Sequence, residues 1–195
     1  MCCEREVLME SLPVIVAMCG SLRKDSLNRK LMNEIVHQSE GKWRVKEAEI
    51  GELPLFNEDI EQAGDPDPVK AFRKKLNEAD GVLIVTPEYN AGMPGGLKNA
   101  LDWASRSPEE FSIRNLPVAI AGASNGSVGT ALSQMQVRQT LTNMNANIMT
   151  NPKIIASRYQ TKIDPESGRL KDEGTVRQID KFVESFTKFV NVFGE

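Results

Sequence analysis

The segment from residue 80 to residue 105 decides the fold, and it reads "DGVLIVT" (80–86), "PEYNAGMPGG" (87–96) and "LKNALDWAS" (97–105). The first part is a short apolar run typical of a buried strand, and the last part has the apolar spacing of a helix. Between them stand two prolines, three glycines, a tyrosine and a glutamate, which is more than a simple connector needs. This pattern predicts a functional loop at the end of a strand.

The same alternation of strand and helix continues along the chain. Strands are predicted over 14–19, 43–50, 81–86, 117–123 and 147–156, the last one interrupted or bent at Pro152. Helices are predicted from Ser26, from Asp67, around 97–104, over 130–144 and over 175–193. Five repeated strand–helix units predict an α/β fold, a three-layer α/β/α sandwich around a parallel sheet. For five strands, the common strand order is 2-1-3-4-5.

Length, charge and cysteine content narrow the class of protein. The 195 residues predict one domain over 13–195, after an N-terminal extension over 1–12 that we expect to be poorly ordered. The net charge of −3 argues against nucleic-acid binding, and no apolar run approaches the ~18 residues of a membrane helix. Cys2, Cys3 and Cys19 lack the spacing of a metal site and favour a reduced, cytoplasmic protein.

The predicted strand order places two unusual loops side by side. In an open parallel sheet, ligands bind beyond the carboxyl ends of the strands, at the point where the strand order reverses. In the order 2-1-3-4-5, strands 1 and 3 are neighbours at that point. We call the loops that follow them the first loop (residues 20–26) and the ring loop (residues 87–94). Their position predicts a ligand site between them.

The first loop and the helix after it have the composition of a phosphate site. Gly20 allows close backbone approach, Ser21 and Ser26 supply hydroxyls, and Asn28 lies in the first helical turn. A helix N-terminus attracts anions, and the guanidinium of Arg23 can add a forked contact to phosphate oxygens. A capped helix with a solvated basic face explains the same residues, and the first loop alone does not decide between the two interpretations.

The ring loop suits a flat ligand. Pro87 and Pro94 stiffen its two ends, and Gly92 permits a positive φ or the close approach of a ring. The backbone of such a loop can face the pyrimidine edge of a flavin, while Tyr89 or Met93 packs on the ring. The alternative is a stiff loop whose Tyr89 only covers a helix end.

A third loop, "SNGSVG" (124–129), follows strand 4 and either closes the other side of this site or is an ordinary glycine-rich turn. The chain lacks both the G-x-x-x-x-G-K-[ST] and the G-x-G-x-x-G patterns. A P-loop nucleotidase and a Rossmann dinucleotide site are therefore not predicted. A cup of hydroxyls and one arginine fits a single terminal phosphate better than a pyrophosphate.

Three stretches together resemble a known family: "GSLRKDSLNRKL" (20–31), "ADGVLIVTPEYNAGMPGGLKNALDW" (79–103) and "PVAIAGASNGSVG" (117–129). They are similar to the NADPH-dependent FMN reductases of the flavodoxin-like superfamily, and most similar to the bacterial chromate/quinone reductases. The resemblance extends from about Pro13 to Phe193. It implies a flavodoxin-like fold, FMN as cofactor, and NADPH or NADH as co-substrate.

The resemblance also implies roles for individual residues. The implied cofactor-binding residues are Ser21, Arg23, Ser26, Leu27 and Asn28 at the phosphate, Pro87, Glu88, Tyr89 and Asn90 at the ring, and Ser124 after strand 4. Substrates are expected to enter beside Tyr89, Asn90, Gly92 and Met93. No catalytic side chain and no metal are expected, because the flavin carries the chemistry. The chain departs from the family pattern at "NAGMP" and in its N-terminal extension.

The implied reaction is ping-pong electron transfer. The nicotinamide reduces FMN and leaves, and a quinone or similar small acceptor then takes the electrons; chromate, azo compounds and free flavin are further acceptors in such families. The resemblance also implies a homodimer or homotetramer, and the predicted helix over 130–144 has two apolar clusters on opposite sides. Two other functions stay open: a flavodoxin-type electron carrier without nicotinamide oxidation, and a non-redox ligand-binding module.

Overall fold

The computed structural model describes residues 12–106 and 112–193, so residues 1–11 of the predicted N-terminal extension lie outside the described part. Its strands are β1 (Val14–Cys19), β2 (Arg44–Ala48), β3 (Gly81–Val85), β4 (Pro117–Ala123), β5 (Asn147–Ile148) and β6 (Ile154–Ala156). Its α-helices are α1 (Leu27–Gln38), α2 (Glu58–Gln62), α3 (Asp67–Asn77), α4 (Gly95–Ala104), α5 (Ala131–Asn143) and α6 (Glu173–Phe193). A 3₁₀ turn spans Tyr159–Lys162.

The sheet has the predicted order. Its strands run β2-β1-β3-β4-β5, and every pairing is parallel. The predicted fifth strand is split in two, because β5 and β6 both pair with β4, one after the other along the same edge. The residues between them include Pro152, which has no N–H to donate to a strand ladder. The flavodoxin-like topology is therefore confirmed, with its last strand interrupted at the predicted place.

The sheet is covered on both faces, which confirms the three-layer sandwich. Alternate residues of the central strands face opposite sides, as the two-residue period of a strand requires. On one side, Ile15, Ala17, Leu83 and Val85 pack with apolar residues of α1 and α6. On the other side, Val16, Met18, Val82 and Ile84 pack with apolar residues of α3, α4 and α5.

Two local features differ from the predicted elements. The short helix α2 was not predicted, although the side chain of Asn57 accepts a hydrogen bond from the Asp59 N–H (2.9 Å) and caps it. Strand β2 is shorter than the predicted 43–50 segment. Trp43 precedes it and is buried instead, with its Nε1–H donating to Thr187 Oγ1 of α6 (2.8 Å).

Two features are absent from the described residues. No helix in this part of the chain is both long enough and apolar enough to cross a membrane. The same residues contain no group of three or more histidine, cysteine, aspartate or glutamate side chains that could hold a metal ion.

Candidate functional site

The first loop and the ring loop are in direct contact at the carboxyl edge of the sheet. The Gly20 N–H donates to the Val85 carbonyl (2.8 Å), which extends the β1–β3 pairing into the first loop. A Cβ added at Gly20 would lie 3.2 Å from Leu97 Cδ2 and 3.3 Å from Pro87 Cδ. A side chain at position 20 would therefore push against Pro87 and Leu97, and glycine lets the first loop lie close to the ring loop.

A cavity opens where these two loops meet the third loop. Its lining includes nine of the ten predicted cofactor residues: Ser21, Arg23, Ser26, Leu27, Asn28, Pro87, Glu88, Tyr89 and Ser124. Asn90 is the predicted residue that does not line it, and Ala123 and Asn125 line it without having been predicted. The structure therefore brings together residues that lie more than one hundred positions apart in the sequence.

The first loop ends in a well-formed helix N-terminus. Ser26 is the N-cap of α1, and its Oγ accepts hydrogen bonds from the N–H groups of Asn28 and Arg29, both at 3.2 Å. The Ser21 side chain is only 4% exposed and faces the cavity. Within the described part of the chain, the N–H groups of Ser21, Ser26 and Leu27 have no recorded hydrogen-bond acceptor. These donors are therefore available to a ligand.

Two of the cations near this helix end already form ion pairs with acidic side chains. Arg29 pairs with Glu47 of β2, and Lys30 pairs with Asp25 (2.9 Å). The hydrogen bond and the charge of Lys30 lower the pKa of the Asp25 carboxyl. Arg23 lines the cavity and has no recorded ion pair among the described residues. It is thus the cation placed to meet an anion in the cavity.

Asn28 joins the first loop to the end of β4. Its Nδ2 donates to the Ala123 carbonyl (2.9 Å), and its Oδ1 accepts from the Ala123 N–H (2.8 Å). The side chain is 3% exposed. These two bonds fix α1 against β4, so the contact that the structure shows for this amide is with the protein backbone.

The ring loop is a tight hairpin. The N–H of Tyr89 donates to the Gly92 carbonyl (3.0 Å), and the N–H of Gly92 donates to the Tyr89 carbonyl (2.9 Å). Asn90 and Ala91 have φ values of 49° and 61°, so both central residues adopt the left-handed conformation of a two-residue turn. The expected positive φ thus falls on Asn90 and Ala91 rather than on Gly92. An added Cβ at Gly92 would lie 2.9 Å from Gln136 Oε1, so the Gln136 side chain would have to move to make room for it.

The side chain of Glu88 faces α5. Its Oε2 accepts hydrogen bonds from the N–H groups of Leu132 (2.8 Å) and Ser133 (3.0 Å) in the first turn of that helix. Thr130, the N-cap residue of α5, makes no capping bond with its side chain. The Glu88 carboxylate therefore takes the place of the missing cap.

The predicted entrance residues have different surroundings. Tyr89 is 48% exposed and lines the cavity, and Asn90 is exposed at the tip of the hairpin. Gly92 and Met93 are half-buried, and Met93 packs against the core on the α3–α5 side of the sheet. The entrance role remains a prediction for these residues, and Tyr89 is the one that the structure places beside the cavity.

Two residues that hold the loops around the cavity were not predicted from the sequence. Asn125 stands in the quoted "SNGSVG" motif, and its Oδ1 accepts from the Gln160 N–H (3.0 Å), which holds the third loop. Gln136 lies in the middle of α5, and its Oε1 accepts from the Met93 N–H (2.9 Å). The motif could have pointed to Asn125, whereas no local signal points to Gln136.

The donors of the first loop fit a phosphate. Ser21 offers a buried hydroxyl, and N–H groups without an acceptor among the described residues lie at the positive end of α1. Arg23 offers a guanidinium that forms no ion pair within the described part of the chain. Hydrogen bonds from such donors to a phosphate dianion are charge-assisted and stronger than bonds between neutral groups. The ring loop lies next to this phosphate cradle, so the residues present fit an FMN. Fold and site together define a flavodoxin-like protein with a mononucleotide site.

Comparison with known proteins identifies the family. The family model described as NADPH-dependent FMN reductase matches residues 13–161, and the chain belongs to this family. The predicted enzyme class, an oxidoreductase that uses FMN and NAD(P)H, is thereby confirmed.

Individual relatives agree with this assignment. The quinone reductase of Escherichia coli K12 is 36% identical over 178 residues, which cover 90% of this chain and 94% of the relative. An NAD(P)H-dependent FMN reductase of Pseudomonas aeruginosa is 41% identical over 160 residues, covering 82% of this chain and 85% of the relative. Among solved structures, the flavoenzyme NAD(P)H:(acceptor) oxidoreductase FerB of Paracoccus denitrificans has a TM-score of 0.87 and 34% identity, covering 93% of this chain and 99% of that chain.

Proposed function

We propose that this protein is an FMN-dependent NAD(P)H oxidoreductase that passes electrons to quinones or similar small acceptors. One observation carries the proposal: a phosphate cradle and a rigid hairpin with an exposed tyrosine meet at the same edge of the sheet. The relatives point the same way, because one is a quinone reductase and another an NAD(P)H-dependent FMN reductase.

In this proposal the chain holds the cofactor and orients it. Ser21, Arg23 and the free N–H groups at the start of α1 bind the phosphate. The backbone of the ring loop, from Pro87 to Asn90, faces the ring, and Ser124 adds a polar contact from the third loop. FMN, when bound, supplies the two-electron chemistry itself. No catalytic side chain is assigned, and the Glu88 carboxylate is already engaged by α5.

The exposure of Tyr89 supports a ping-pong order of substrates. The side chain is 48% exposed beside the cavity, so substrates would reach a flavin ring held there from the side of Tyr89. In this proposal the nicotinamide and the acceptor use that side in turn. NADPH and NADH are both candidate donors, and quinones are the acceptors that we favour over chromate, azo compounds and free flavin.

The exposed face of α5 supports a homodimer or homotetramer. Val137 and Leu141 are buried against the sheet, whereas Leu132 and Met135 are 43% and 65% exposed. The helix therefore has apolar side chains that the described part of the chain leaves exposed, and its first turn bonds to Glu88, the residue before Tyr89. A second copy of the chain is the partner we propose for it. The cysteine content supports a cytoplasmic location.

An anaerobic titration tests the proposed function. FMN-loaded protein is mixed with one equivalent of NADPH or NADH, and a quinone is added after the nicotinamide has been removed. We expect the visible absorbance of the flavin to bleach and then to return. If the protein binds FMN but the flavin stays oxidised for minutes, it is a flavodoxin-type carrier. If it binds no FMN, it is a non-redox ligand-binding module.

A further inference from the structure

Helix α5 contacts the ring loop near both of its ends. Glu88, at the start of the loop, accepts hydrogen bonds from the N–H groups of Leu132 and Ser133. Met93, near the end of the loop, donates its N–H to Gln136. The first contact uses backbone N–H groups at the start of α5, and the second uses a side chain about one turn further along the same helix.

The first contact stabilises the helix and the loop together. The leading N–H groups of a helix need acceptors, and a carboxylate there also interacts favourably with the helix dipole. Glu88 supplies the acceptor from a loop that is 44 and 45 residues away in sequence from Leu132 and Ser133. The start of α5 and the start of the ring loop therefore depend on each other.

The second contact lies outside the cavity. Gln136 is exposed and is not among the residues that line the cavity. Its amide oxygen holds the Met93 N–H at 2.9 Å, and its side chain fills the space that a Cβ at Gly92 would need. Within one copy of the chain, Gln136 is therefore connected to the cavity through the ring loop.

Between these contacts the chain makes an unfavourable turn. Asn90 and Ala91 both have positive φ values, and the left-handed conformation costs an L-residue such as Ala91 about 1–2 kcal/mol. Such a turn persists when its surroundings hold both ends in place. The two contacts to α5 provide this restraint.

We propose that α5 sets the conformation of the ring loop through Glu88 and Gln136, and that both are positioning residues for flavin binding. The inference rests on the proposed function, because it takes the ring loop as the flavin-binding segment. A loop held in shape before binding loses less conformational entropy when the ligand arrives. Removal of the Gln136 contact therefore weakens FMN binding, although the Gln136 side chain does not line the cavity.

Three variants of the full-length chain test this role: Gln136→Ala, Gln136→Glu and Gln139→Ala. The glutamate variant keeps an oxygen that can accept the Met93 N–H. The third variant makes the same truncation on the same helix, at a side chain for which no hydrogen bond is recorded in the described part of the chain. Two quantities are measured: the dissociation constant for FMN, and the hydrogen-exchange rate of the Met93 amide in FMN-free protein.

We expect Gln136→Ala to raise the dissociation constant about three- to tenfold and to speed up Met93 exchange by a similar factor. Gln136→Glu should restore both values, and Gln139→Ala should change neither. Unchanged Met93 exchange and FMN affinity in Gln136→Ala would overturn the inference. Wild-type protein that binds no FMN would instead overturn the proposed function, while Met93 exchange would still report whether Gln136 holds the loop.

Discussion

The first loop and the ring loop meet at one cavity but are held in place in different ways. The first loop runs into α1, and Ser26, at the start of that helix, caps it. The ring loop is fixed from outside, because Glu88 and Met93 bond to a helix that lies more than forty residues further along the chain. The cap of the first loop is thus local, although Gly20 and Asn28 also bond to β3 and β4, whereas both contacts of the ring loop to α5 come from the tertiary fold.

The two loops also differ in exposure. Ser21, Ser26 and Asn28 are almost fully buried, whereas Tyr89 and Asn90 are exposed. Buried hydrogen bonds hold one conformation, and exposed loop tips tolerate change. We therefore expect the first loop to control how tightly FMN is held, and the ring loop to control which acceptor reaches it.

The largest effect on stability is expected from Asn28→Ala. This change removes two buried hydrogen bonds and leaves the N–H and the carbonyl of Ala123 without partners. The free energy of unfolding, measured by urea denaturation, should fall by about 2–4 kcal/mol. Asn125→Ala is the matched control, since it removes one exposed bond and should cost about 1 kcal/mol or less. Equal losses in the two variants would show that the buried bonds of Asn28 to β4 contribute no more to stability than the exposed bond of Asn125.

The next largest effect is expected on cofactor affinity, from Arg23→Ala. The loss of a charge-assisted contact to the phosphate should raise the dissociation constant for FMN about 10- to 100-fold. Quenching of flavin fluorescence measures this constant. Lys24→Ala is the control, because the neighbouring cation does not line the cavity. If both variants lose affinity equally, general positive charge rather than a phosphate contact explains the binding.

A smaller loss of stability is expected from Glu88→Ala, because this change removes the carboxylate that caps α5. The free energy of unfolding should fall by about 1–2 kcal/mol in urea denaturation. Glu88→Gln should recover part of this loss, because an amide oxygen still accepts a hydrogen bond but lacks the charge. An alanine variant as stable as the wild type would contradict the connection between the ring loop and α5.

The smallest effect is expected from Ala91→Gly, and it should be stabilising. Glycine adopts a positive φ without steric cost, so the strain at this position is removed. This gain should exceed the cost of the larger entropy of glycine in the unfolded chain, and the free energy of unfolding should rise by about 0.5–1 kcal/mol. Ala71→Gly, on the exposed side of α3, is the control and should lower stability. A loss of stability in both variants would mean that the turn at Ala91 is not strained.

The difference between the loops also explains what the sequence could predict. Ser26 is recognisable as a helix cap, and the alternation of strands and helices gave the sheet order. The hydrogen bonds between the Asn28 side chain and Ala123 were not predictable, because the partner lies 95 residues away and is a backbone group. The residue type at position 28 indicates hydrogen bonding but not the identity of the partner.

Elements that depend on packing were less visible in the sequence. Helix α2 has only five residues and no buried side chain, so it lacks the apolar spacing that predicts helices. Trp43 looked like part of a strand, yet its indole packs edge-on against Phe186 of α6. Gln136 is an ordinary polar residue on a helix surface, and its contact with Met93 exists only once the ring loop has been placed.

The central claim is that the first loop binds the phosphate and the ring loop binds the flavin ring. A comparison of FMN with riboflavin tests this claim most directly. Dissociation constants for both ligands are measured with the wild type, Arg23→Ala and Gln136→Ala. We predict that Arg23→Ala weakens FMN and leaves the affinity for riboflavin, which lacks the phosphate, unchanged. Gln136→Ala should weaken both ligands by the same factor. Equal weakening of both ligands by Arg23→Ala would contradict the claim that the first loop binds the phosphate.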